Sequence, residues 1–476
     1  MKKHNTILAL AAYLVSVLTA CGGTGAAADT TAPEVSGSVT TLSDEIPCPV
    51  EKSDFGGKEF RILYPEWFLY IDYFFVEEQS GDQMDDAIYK RTIETEEYLN
   101  VQITPKPISS INDIAGKVQE VVLAGDDAYD MVLTHCISGV GTMAAEGYLY
   151  DWTKLPDGVT FDERWWNEDM NRQLELNGKR YYTVSDFMLP DPNAILFNKR
   201  MVEEYKLESP YQLVYDGKWT WDKMTEMARK VTKDVDGNAV YDENDIYGFA
   251  AQAEWKMISI PYACDQYIVQ KNGSKYELAL KNEKMLNIID KMNKLFNSDN
   301  SSFIWVASGN VMTTGIITDR VLFDLAALND SAIYRDSDVN FGILPFPKYD
   351  EAQKEYISLN WCGLMCIPNT VSQTELISKT CEMLAYASDD TTQPAYREVL
   401  LGDKLARDDE SVGMLDIIFD GLVCDFGLNY LGFNNLTYTI PRMVGRDKST
   451  DFASWYDTNI NTVQKTLDDL NEKLMS

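Results

Sequence analysis

Strand-like and helix-like segments alternate along the first half of this chain, and the alternation limits the folds that are open to it. Residues 58–64 form a β-rich run, residues 82–99 carry apolar side chains among charges as helices do, and residues 101–103 alternate as a strand. A second helical pattern and a third apolar run, residues 129–133, follow. Because parallel strands need crossover connections, this β-α-β-α-β order predicts a parallel sheet covered by helices.

The same pattern indicates where a ligand would bind. Open parallel sheets bind their ligands beyond the carboxyl ends of the strands. Trp67 lies in the loop after the first predicted strand, and His135 lies just after the third. We therefore expect both side chains near a ligand crevice.

A second α/β pattern occupies the later part of the chain, with strand-like runs at 194–197, 247–250 and 341–344. Two separated α/β patterns predict an α/β protein with two lobes, each built from non-contiguous segments. Within the second pattern, Thr220 is placed to cap a helix that begins at Trp221. This gives Trp219 and Trp221, on either side of it, a structural role.

The amino terminus predicts an exported lipoprotein. Residues 1–20 combine two early lysines with an apolar stretch of about a dozen residues, which is too short to cross a bilayer about 30 Å thick. The following Leu-Thr-Ala-Cys sequence, which ends at Cys21, resembles the bacterial lipobox. That resemblance implies removal of the signal peptide and attachment of a lipid such as palmitate to Cys21, with an anchor at the outer face of the cell membrane.

Residues 21–53 are rich in small and polar residues and show no hydrophobic periodicity. We interpret them as the acylated cysteine followed by a flexible tether with an r.m.s. reach of roughly 30 Å. Such a tether keeps a globular body near the membrane without immobilising it.

The composition excludes several kinds of partner. With 75 acidic and 42 basic residues the formal net charge is −33, so nucleic acid is not an expected ligand, and the lipid anchor is the only expected membrane contact. His4 and His135 are the only histidines, which makes a Ser-His-Asp triad or a multi-histidine metal site improbable.

The eight cysteines predict free thiols more than disulfides. Beyond Cys21 an odd number remains, and no CxxC pair occurs. The nearest pair, Cys362 and Cys366, lies in an extended apolar segment, where four residues span about 13 Å, too far for a disulfide.

Several segments, taken in order, resemble one known family. They are the lipobox with its tether, KEFRILY, YDMVLTH, ILFNKRM, DVDGNAVYDENDIYGFA, VNFGILPFPKYDEAQKEY and LARDDESVGMLDIIF. Together these segments are similar to the extracellular solute-binding proteins of bacterial ABC importers, of the carbohydrate-associated group. The resemblance implies two α/β lobes around a hinge, a solute held in the cleft between them, and delivery of that solute to membrane permease subunits by a monomeric receptor.

The architecture of that family implies how the chain divides. Lobe one would contain residues 54–185 and 325–367, and lobe two residues 190–322 and 368–476. The crossovers would lie near residues 186–193, 319–325 and 367–368, which form the hinge and the floor of a periplasmic-binding-protein-like cleft.

A sugar ligand needs aromatic faces for its C–H surfaces and polar groups for its hydroxyls. Trp67, Trp255 and Trp361 lie where the lobe edges should meet, and Asp186 is the favoured hydroxyl acceptor. With His135 these residues form the predicted ligand-binding set.

An acidic segment between residues 234 and 245 has two interpretations. Its oxygen-bearing side chains follow the spacing of an EF-hand calcium loop, and they are Asp234, Asp236, Asn238, Asp242 and Asp245. The glycine falls at the fourth position rather than the sixth, and an aspartate replaces the final glutamate. A surface turn held by Asp and Asn hydrogen bonds is the simpler interpretation, so we expect no cofactor and keep calcium as the alternative.

An enzyme and a surface scaffold are the alternative functions. A glycan-active enzyme of the glycoside hydrolase kind needs two carboxylates at a set separation, but with 75 acidic residues the presence of a pair carries no information. GxSxG, Walker, HExxH and dinucleotide-binding motifs do not occur, so no catalytic residue is predicted. An adhesin or scaffold would predict internal repeats, and none of fixed period is present.

Overall fold

The structure is a computed structural model that describes residues 47–66, 74–156, 159–305, 315–330, 340–361, 363–405, 409–430 and 436–475. The chain from Cys48 onward forms one compact unit. The predicted signal peptide, Cys21, most of the tether, Trp67 and Cys362 lie outside the described residues. A search of the described helices finds none that combines the length and the apolar character that a bilayer crossing requires.

The first sheet has five strands, which are β1 (Lys58–Pro65), β2 (Val101–Ile108), β3 (Met131–His135), β4 (Tyr182–Thr183) and β13 (Gly363–Cys366). Their order is β2-β1-β3-β13-β4. The first three run parallel, whereas β13 is antiparallel to β3 and β4. All five residues of β3 are buried, as expected for a central strand that is covered on both faces.

Two helices make the parallel connections of this sheet: α1 (Gln83–Leu99) and α2 (Ile114–Ala124). The carboxylate of Asp82 caps α1 by accepting the backbone N–H groups of Met84, at 2.8 Å, and Asp85, at 3.2 Å. Asn100 ends α1 in the left-handed conformation, with φ 48°. The predicted β-α-β-α-β order is confirmed.

The second sheet also has five strands, which are β5 (Asn193–Asn198), β6 (Tyr247–Gln252), β9 (Ser302–Trp305), β10 (Val321–Ala327) and β11 (Phe341–Leu344). Their order is β11-β5-β10-β6-β9. β10, β6 and β9 run parallel, and β5 is antiparallel to both of its neighbours. The predicted two-lobe α/β architecture therefore corresponds to two separate sheets.

The other elements surround these sheets. The remaining strands form two small pairs, β7 (Val269–Asn272) with β8 (Lys275–Leu278) and β12 (Ser358–Leu359) with β14 (Leu422–Val423). The helices that follow α2 are α3 (Val140–Ala145), α4 (Glu168–Leu174), α5 (Lys199–Glu204), α6 (Pro210–Tyr215), α7 (Trp221–Val231), α8 (Ser259–Ala263), α9 (Glu283–Asn297), α10 (Thr374–Asp390), α11 (Thr392–Leu405), α12 (Asp409–Asp420), α13 (Phe426–Asn429), α14 (Leu436–Pro441) and α15 (Phe452–Met475).

The chain passes between the two sheets at residues 184–192, which lie between β4 and β5, and again between β11 and β13, where residues 345–361 are described. The second passage differs from the predicted one near residues 319–325, because β10 and β11 both pair within the second sheet. Residues 325–327 and 341–344 were expected in lobe one, and strand pairing places both segments in the other sheet. Hydrophobic patterning predicts that a strand exists but not which sheet edge it joins.

The position of helix α10 also differs from the predicted lobe boundary at residues 367–368. Residues from 368 onward were expected in lobe two, yet α10 packs on α1 and on β1 of the first sheet. The chain therefore does not leave the first lobe at residues 367–368. An amphipathic helix fits the face of either sheet, so its pattern alone cannot assign it.

The tryptophans around Thr220 have the structural role that the sequence predicts. Helix α7 begins at Trp221, and the Thr220 hydroxyl accepts the N–H of Lys223 at 3.3 Å. Both Trp219 and Trp221 are buried, and the Trp219 indole N–H donates to the Pro345 carbonyl at 2.9 Å. The cap and the two rings hold α7 against the second sheet.

A buried carboxylate links a helix of the first lobe to the loop at residues 160–166. Glu382, on α10, accepts the indole N–H groups of Trp165 at 2.8 Å and Trp166 at 2.7 Å. It also accepts the Thr160 backbone N–H at 2.9 Å and the Thr160 hydroxyl. All four of its hydrogen bonds come from one loop, so this single side chain attaches residues 160–166 to α10.

The described cysteines behave as predicted. Cys264, Cys366, Cys381 and Cys424 are buried free thiols, and Cys48 is a partly exposed one. Burial raises the pKa of Cys264 and of Cys424 to about 12. These thiols are protonated and unreactive at neutral pH.

We expect Glu382→Gln to lower the free energy of unfolding by about 2–4 kcal/mol, because an amide offers one acceptor oxygen to four donors and points its own N–H groups at two of them. Urea denaturation measures the change. Glu375→Gln is the matched control, since Glu375 lies exposed on the same helix with only a surface ion pair to Lys379. Equal denaturation midpoints for the two variants would show that the buried carboxylate is not needed.

Candidate functional site

A cavity of about 520 Å³ lies between the two sheets, at the strand ends. Glu66 follows β1, residues 109–112 follow β2 and Ile137 follows β3, so the first sheet forms one wall. Gln252 ends β6 and Ala327 ends β10, so the second sheet forms the other. This is the edge at which open α/β sheets bind ligands, and the volume is typical of small-molecule sites.

Trp361 lines this cavity from the passage that leads into β13. Behind it, His135 is fully buried at the end of β3, with its ring 5.2 Å from the Trp361 ring in an edge-on arrangement. Burial lowers the pKa of His135 to about 3, so the imidazole is neutral. His135 does not line the cavity and supports Trp361 from behind.

Trp255 lines the opposite side and is 46% exposed. The preceding residue, Glu254, has φ 76°, a left-handed conformation that is rare for a residue other than glycine. Its carboxylate lies 3.2 Å from Arg442 Nε and 2.9 Å from an Arg446 guanidinium nitrogen. The Trp255 ring packs edge-on against Tyr438 at 5.1 Å. Ion pairs and an aromatic contact thus fix an exposed ring in one position.

A second cavity of about 310 Å³ adjoins the first. The two share Asn112, Ile137 and Trp255 as lining residues. The far wall of the second cavity comes from residues 427–430 and 436–442, which belong to α13, α14 and the residues just after each helix. Sequence reasoning did not select this segment, because its residues lie far along the chain from every predicted lobe edge.

Asp191, which sequence reasoning also missed, lines the first cavity from the passage into β5. It is buried and accepts the Asn329 backbone N–H at 3.1 Å. Burial raises the pKa of Asp191 to about 7. Nearby, Lys256 Nζ lies 2.5 Å from Asp330 Oδ2, so the one lysine of this lining is already paired with a carboxylate.

The remaining predicted ligand residues lie elsewhere. Asp186 lines a separate cavity of about 200 Å³, beside Gln393 and Arg397, instead of the one between the strand ends. Burial, reinforced by the neighbouring Asp389 carboxylate, raises the pKa of Asp186 well above its ordinary value. Trp67 lies outside the described residues, although its neighbour Glu66 reaches the main cavity. The structure therefore brings together Trp255 and Trp361, with His135 behind one of them.

The acidic segment forms a closed turn. Carboxylate oxygens of Asp234, Asp236 and Asp245 lie within 4.8 Å of one another. Asp234 accepts the backbone N–H groups of Gly237 at 2.7 Å and Ala239 at 2.8 Å, and these bonds lower its pKa. Asn238 and Asp242 instead accept backbone N–H groups of residues 240 and 244. Such Asx turns are the arrangement that the simpler interpretation predicted, and calcium stays the alternative to be tested.

Comparison with solved structures identifies the fold. A cyclic alpha-maltosyl-1,6-maltose binding protein from Arthrobacter globiformis aligns with a TM-score of 0.57 at 12% identity, over 88% of this chain and 99% of that one. The chain has the fold of ABC solute-binding proteins. A maltose-binding periplasmic protein from Listeria monocytogenes, in complex with maltose, aligns at 0.54 and 14%, over 88% and 98%. An ABC substrate-binding protein from the same organism, in complex with cycloalternan, aligns at 0.54 and 12%, over 88% and 99%.

These structural neighbours of the solute-binding-protein fold are binding proteins and not enzymes. No protein-family model matches the sequence, and no curated protein matches it either. The similarity therefore lies in the three-dimensional arrangement of the lobes.

We expect Asp191→Asn to stabilise the protein at pH 8 but hardly at pH 4. The gain in free energy of unfolding over the unaltered protein should be larger at pH 8 by at least about 1 kcal/mol. The Asp191 pKa is about 7 in the folded chain and close to 4 when unfolded, so its stabilising contribution is full below pH 4 and is lost as the pH rises through 7. Asparagine keeps the oxygen that accepts the Asn329 N–H. Urea denaturation at both pH values tests this, with the exposed Asp290→Asn as control; parallel shifts in the two variants would contradict it.

Proposed function

We propose that the protein captures an extracellular solute, a sugar or oligosaccharide, in the cavity between its two sheets and releases it unchanged. The observation that carries this proposal is the placement of Trp255 and Trp361 on opposite sides of one cavity at the strand ends. The solute-binding-protein fold supports it, since several structural neighbours are complexes with sugars.

The lining chemistry favours a carbohydrate. Indole rings offer flat apolar surfaces for the C–H faces of sugar rings. Beside these rings the lining contains apolar residues, Ile111, Ile137 and Ala327, and the Lys256–Asp330 pair. Its other residues are polar, and they are Ser109, Ser110, Asn112, Asn193 and Gln252, with the carboxylates of Glu66 and Asp191. Hydroxyl, amide and carboxylate groups donate to and accept from sugar hydroxyls, which fixes the orientation of a ligand.

Capture would proceed by closure of the lobes. Residues 184–192 and 345–361 lie in the passages between the two sheets, and rotation of a few residues there would move each lobe as a rigid body. A ligand that touches both walls stabilises the closed form, because only that form makes both sets of contacts. Release to ABC permease subunits would follow when they favour the open form.

The rest of the proposal concerns location and partners. Cleavage before Cys21 and acylation of its sulfur would anchor the protein at the outer face of the cell membrane. The tether would then keep the receptor, acting as a monomer, within reach of the permease. The energy for transport would come from other chains.

A glycan-active enzyme is the alternative that most needs testing. Asp191 combines burial in the cavity with a pKa of about 7, a property that general acids of glycoside hydrolases share. A binding protein and an enzyme both respond to sugar, but only the enzyme changes it. Analysis of the recovered sugar therefore has to accompany every binding measurement. A non-transport scaffold would bind sugar without any change of lobe separation.

We expect one or more neutral sugars in a panel of mono- and oligosaccharides to raise the melting temperature of the protein and to be recovered intact. Trp361→Ala should weaken the binding of the same sugar at least tenfold, and Trp361→Phe should restore part of it, because stacking requires an aromatic face. Leu286→Ala, at an exposed position on α9, is the control. Repeating the screen with EDTA tests the calcium alternative. Cleaved products would eliminate the transport proposal.

We expect Cys21→Ser to abolish incorporation of labelled palmitate and to release the protein from the membrane fraction into the medium. Serine lacks the thiol that forms the thioether to the lipid. Cys48→Ser, in the adjoining tether, should leave both readouts unchanged. Labelling that persists in the Cys21 variant would refute the anchor.

A further inference from the structure

A polar cavity lies on the other side of the passages that connect the two sheets. It is the cavity of about 200 Å³ that Asp186 lines, and its wall comes from both passages and from α4, α11, α12 and β14. We call it the hinge cavity. Asn360 lines it, whereas the next residue, Trp361, lines the cavity between the strand ends. An occupant of the hinge cavity would therefore contact both passages from the side away from the proposed solute site.

The size and the lining of the hinge cavity limit what it can hold. Sites for drug-sized ligands begin at about 300 Å³, so its occupant is smaller than such ligands. Five of the lining residues carry amide or carboxyl groups, and they are Asn167, Asp186, Asn360, Gln393 and Asp420. Apolar side chains, among them Met170, Met188 and Leu422, also line it. This combination suits a short alkyl chain with a hydrogen-bonding group.

The charges around Asp186 leave its carboxyl group without a cation. Arg397, the one basic side chain among the described lining residues, forms an ion pair with Asp416 at 2.6 Å. Arg164, which also lies near Asp186, donates to Asp389 at 2.7 Å. Burial and the Asp389 carboxylate raise the pKa of Asp186 well above its ordinary value, so the two arginines do not compensate the cost of its charge. A cation in the hinge cavity would do so.

A second acceptor beside the cavity lacks a donor. Asn360 is 3% exposed, and its amide nitrogen lies 3.3 Å from the Met170 sulfur. Its amide oxygen has no hydrogen-bond partner among the residues that the structure describes. A buried acceptor without a donor costs free energy, which a ligand with N–H groups would recover.

We propose that the hinge cavity binds a small primary ammonium ion, with Asp186 and the Asn360 amide oxygen as its acceptors, and that the bound ion changes the angle between the lobes. An ammonium group offers three N–H donors and a positive charge, which are the two properties that this lining lacks. The negative net charge of the chain also attracts cations. Because both passages form the wall, the ion stabilises the lobe arrangement in which its contacts exist.

Titration calorimetry with butylammonium, at one ionic strength, tests the site. Butylammonium should bind at least tenfold more tightly than 1-butanol, which lacks the charge, and than tetramethylammonium, which has the charge but no N–H donor. The constant ionic strength keeps the attraction of the acidic surface equal for both cations. Butylammonium that binds no better than tetramethylammonium would show only a general attraction of cations and would overturn the proposal.

Variants place the ion. Asp186→Asn should weaken butylammonium binding at least tenfold, and Asp169→Asn, at a side chain on α4 that is 88% exposed, is the matched control. Asp416→Asn should also weaken it, because Arg397 is then free to meet Asp186. Melting temperatures show that the variants fold. Equal affinities in the Asp186 and Asp169 variants would contradict the proposal. Loss of binding in Trp361→Ala would do the same, since it would place the ion between the strand ends.

Small-angle scattering tests the effect on the lobes. Saturating butylammonium should change the radius of gyration of the unaltered protein and leave that of Asp186→Asn unchanged, with tetramethylammonium at the same concentration as the ionic control. An unchanged radius with the ion bound would overturn the action on the passages. Neither measurement uses a sugar, so a failure here is distinct from a failure of the proposed function.

Discussion

The buried carboxylate of Glu382 connects α10 to the loop at residues 160–166, which in turn contacts the passage between the two sheets. Its indole partners, Trp165 and Trp166, attach their loop to α10, and the Trp165 carbonyl then accepts the N–H of Asp186 at 2.8 Å. Asp186 stands near the start of the passage from the first sheet to the second. Hydrogen bonds thus connect the buried Glu382 carboxylate, through Trp165, to the start of this passage. A buried carboxylate that lost these donors would be strongly destabilising.

The hydrogen bonds of the Asp186 backbone explain why its side chain lies outside the cavity between the strand ends. Its backbone carbonyl accepts the Gln393 side-chain amide at 2.9 Å, which ties the passage to α11 as well. The side chain consequently faces the smaller cavity near Asp389 and Arg397, whereas Asp191, only five residues later, faces the cavity between the strand ends. A turn, closed by the hydrogen bond from the Met188 N–H to the Ser185 carbonyl at 3.0 Å, contains Asp186 and ends before Asp191. The sequence contains two aspartates in one segment, and the hydrogen bonds of the backbone decide which of them lines the cavity between the strand ends.

Features that depend on residues close in sequence could be predicted, and features that depend on distant contacts could not. The cap at Thr220, the helix at Trp221 and the alternation that gives β1, α1 and β2 depend on neighbours in sequence, and all were predictable. The edge that β11 joins depends on contacts distant along the chain, and the prediction there was wrong. Trp255 and Trp361 could be placed near the cleft because they follow or precede strands. The wall that residues 427–430 and 436–442 give to the second cavity had no such signal, since it depends on tertiary packing alone.

Charge acts at two scales in this molecule, and the two need not agree. A net charge of −33 repels anions at long range, but salt screens that field beyond about 8 Å at physiological ionic strength. Within the cleft, the pairs Lys256–Asp330 and Arg442–Glu254 matter more, because they decide whether a cation is available at contact distance. Glu254, the acidic partner in one of these pairs, directly precedes Trp255 and has a left-handed backbone conformation. The Arg442–Glu254 pair therefore neutralises, close to Trp255, the one basic side chain among the described lining residues of the second cavity.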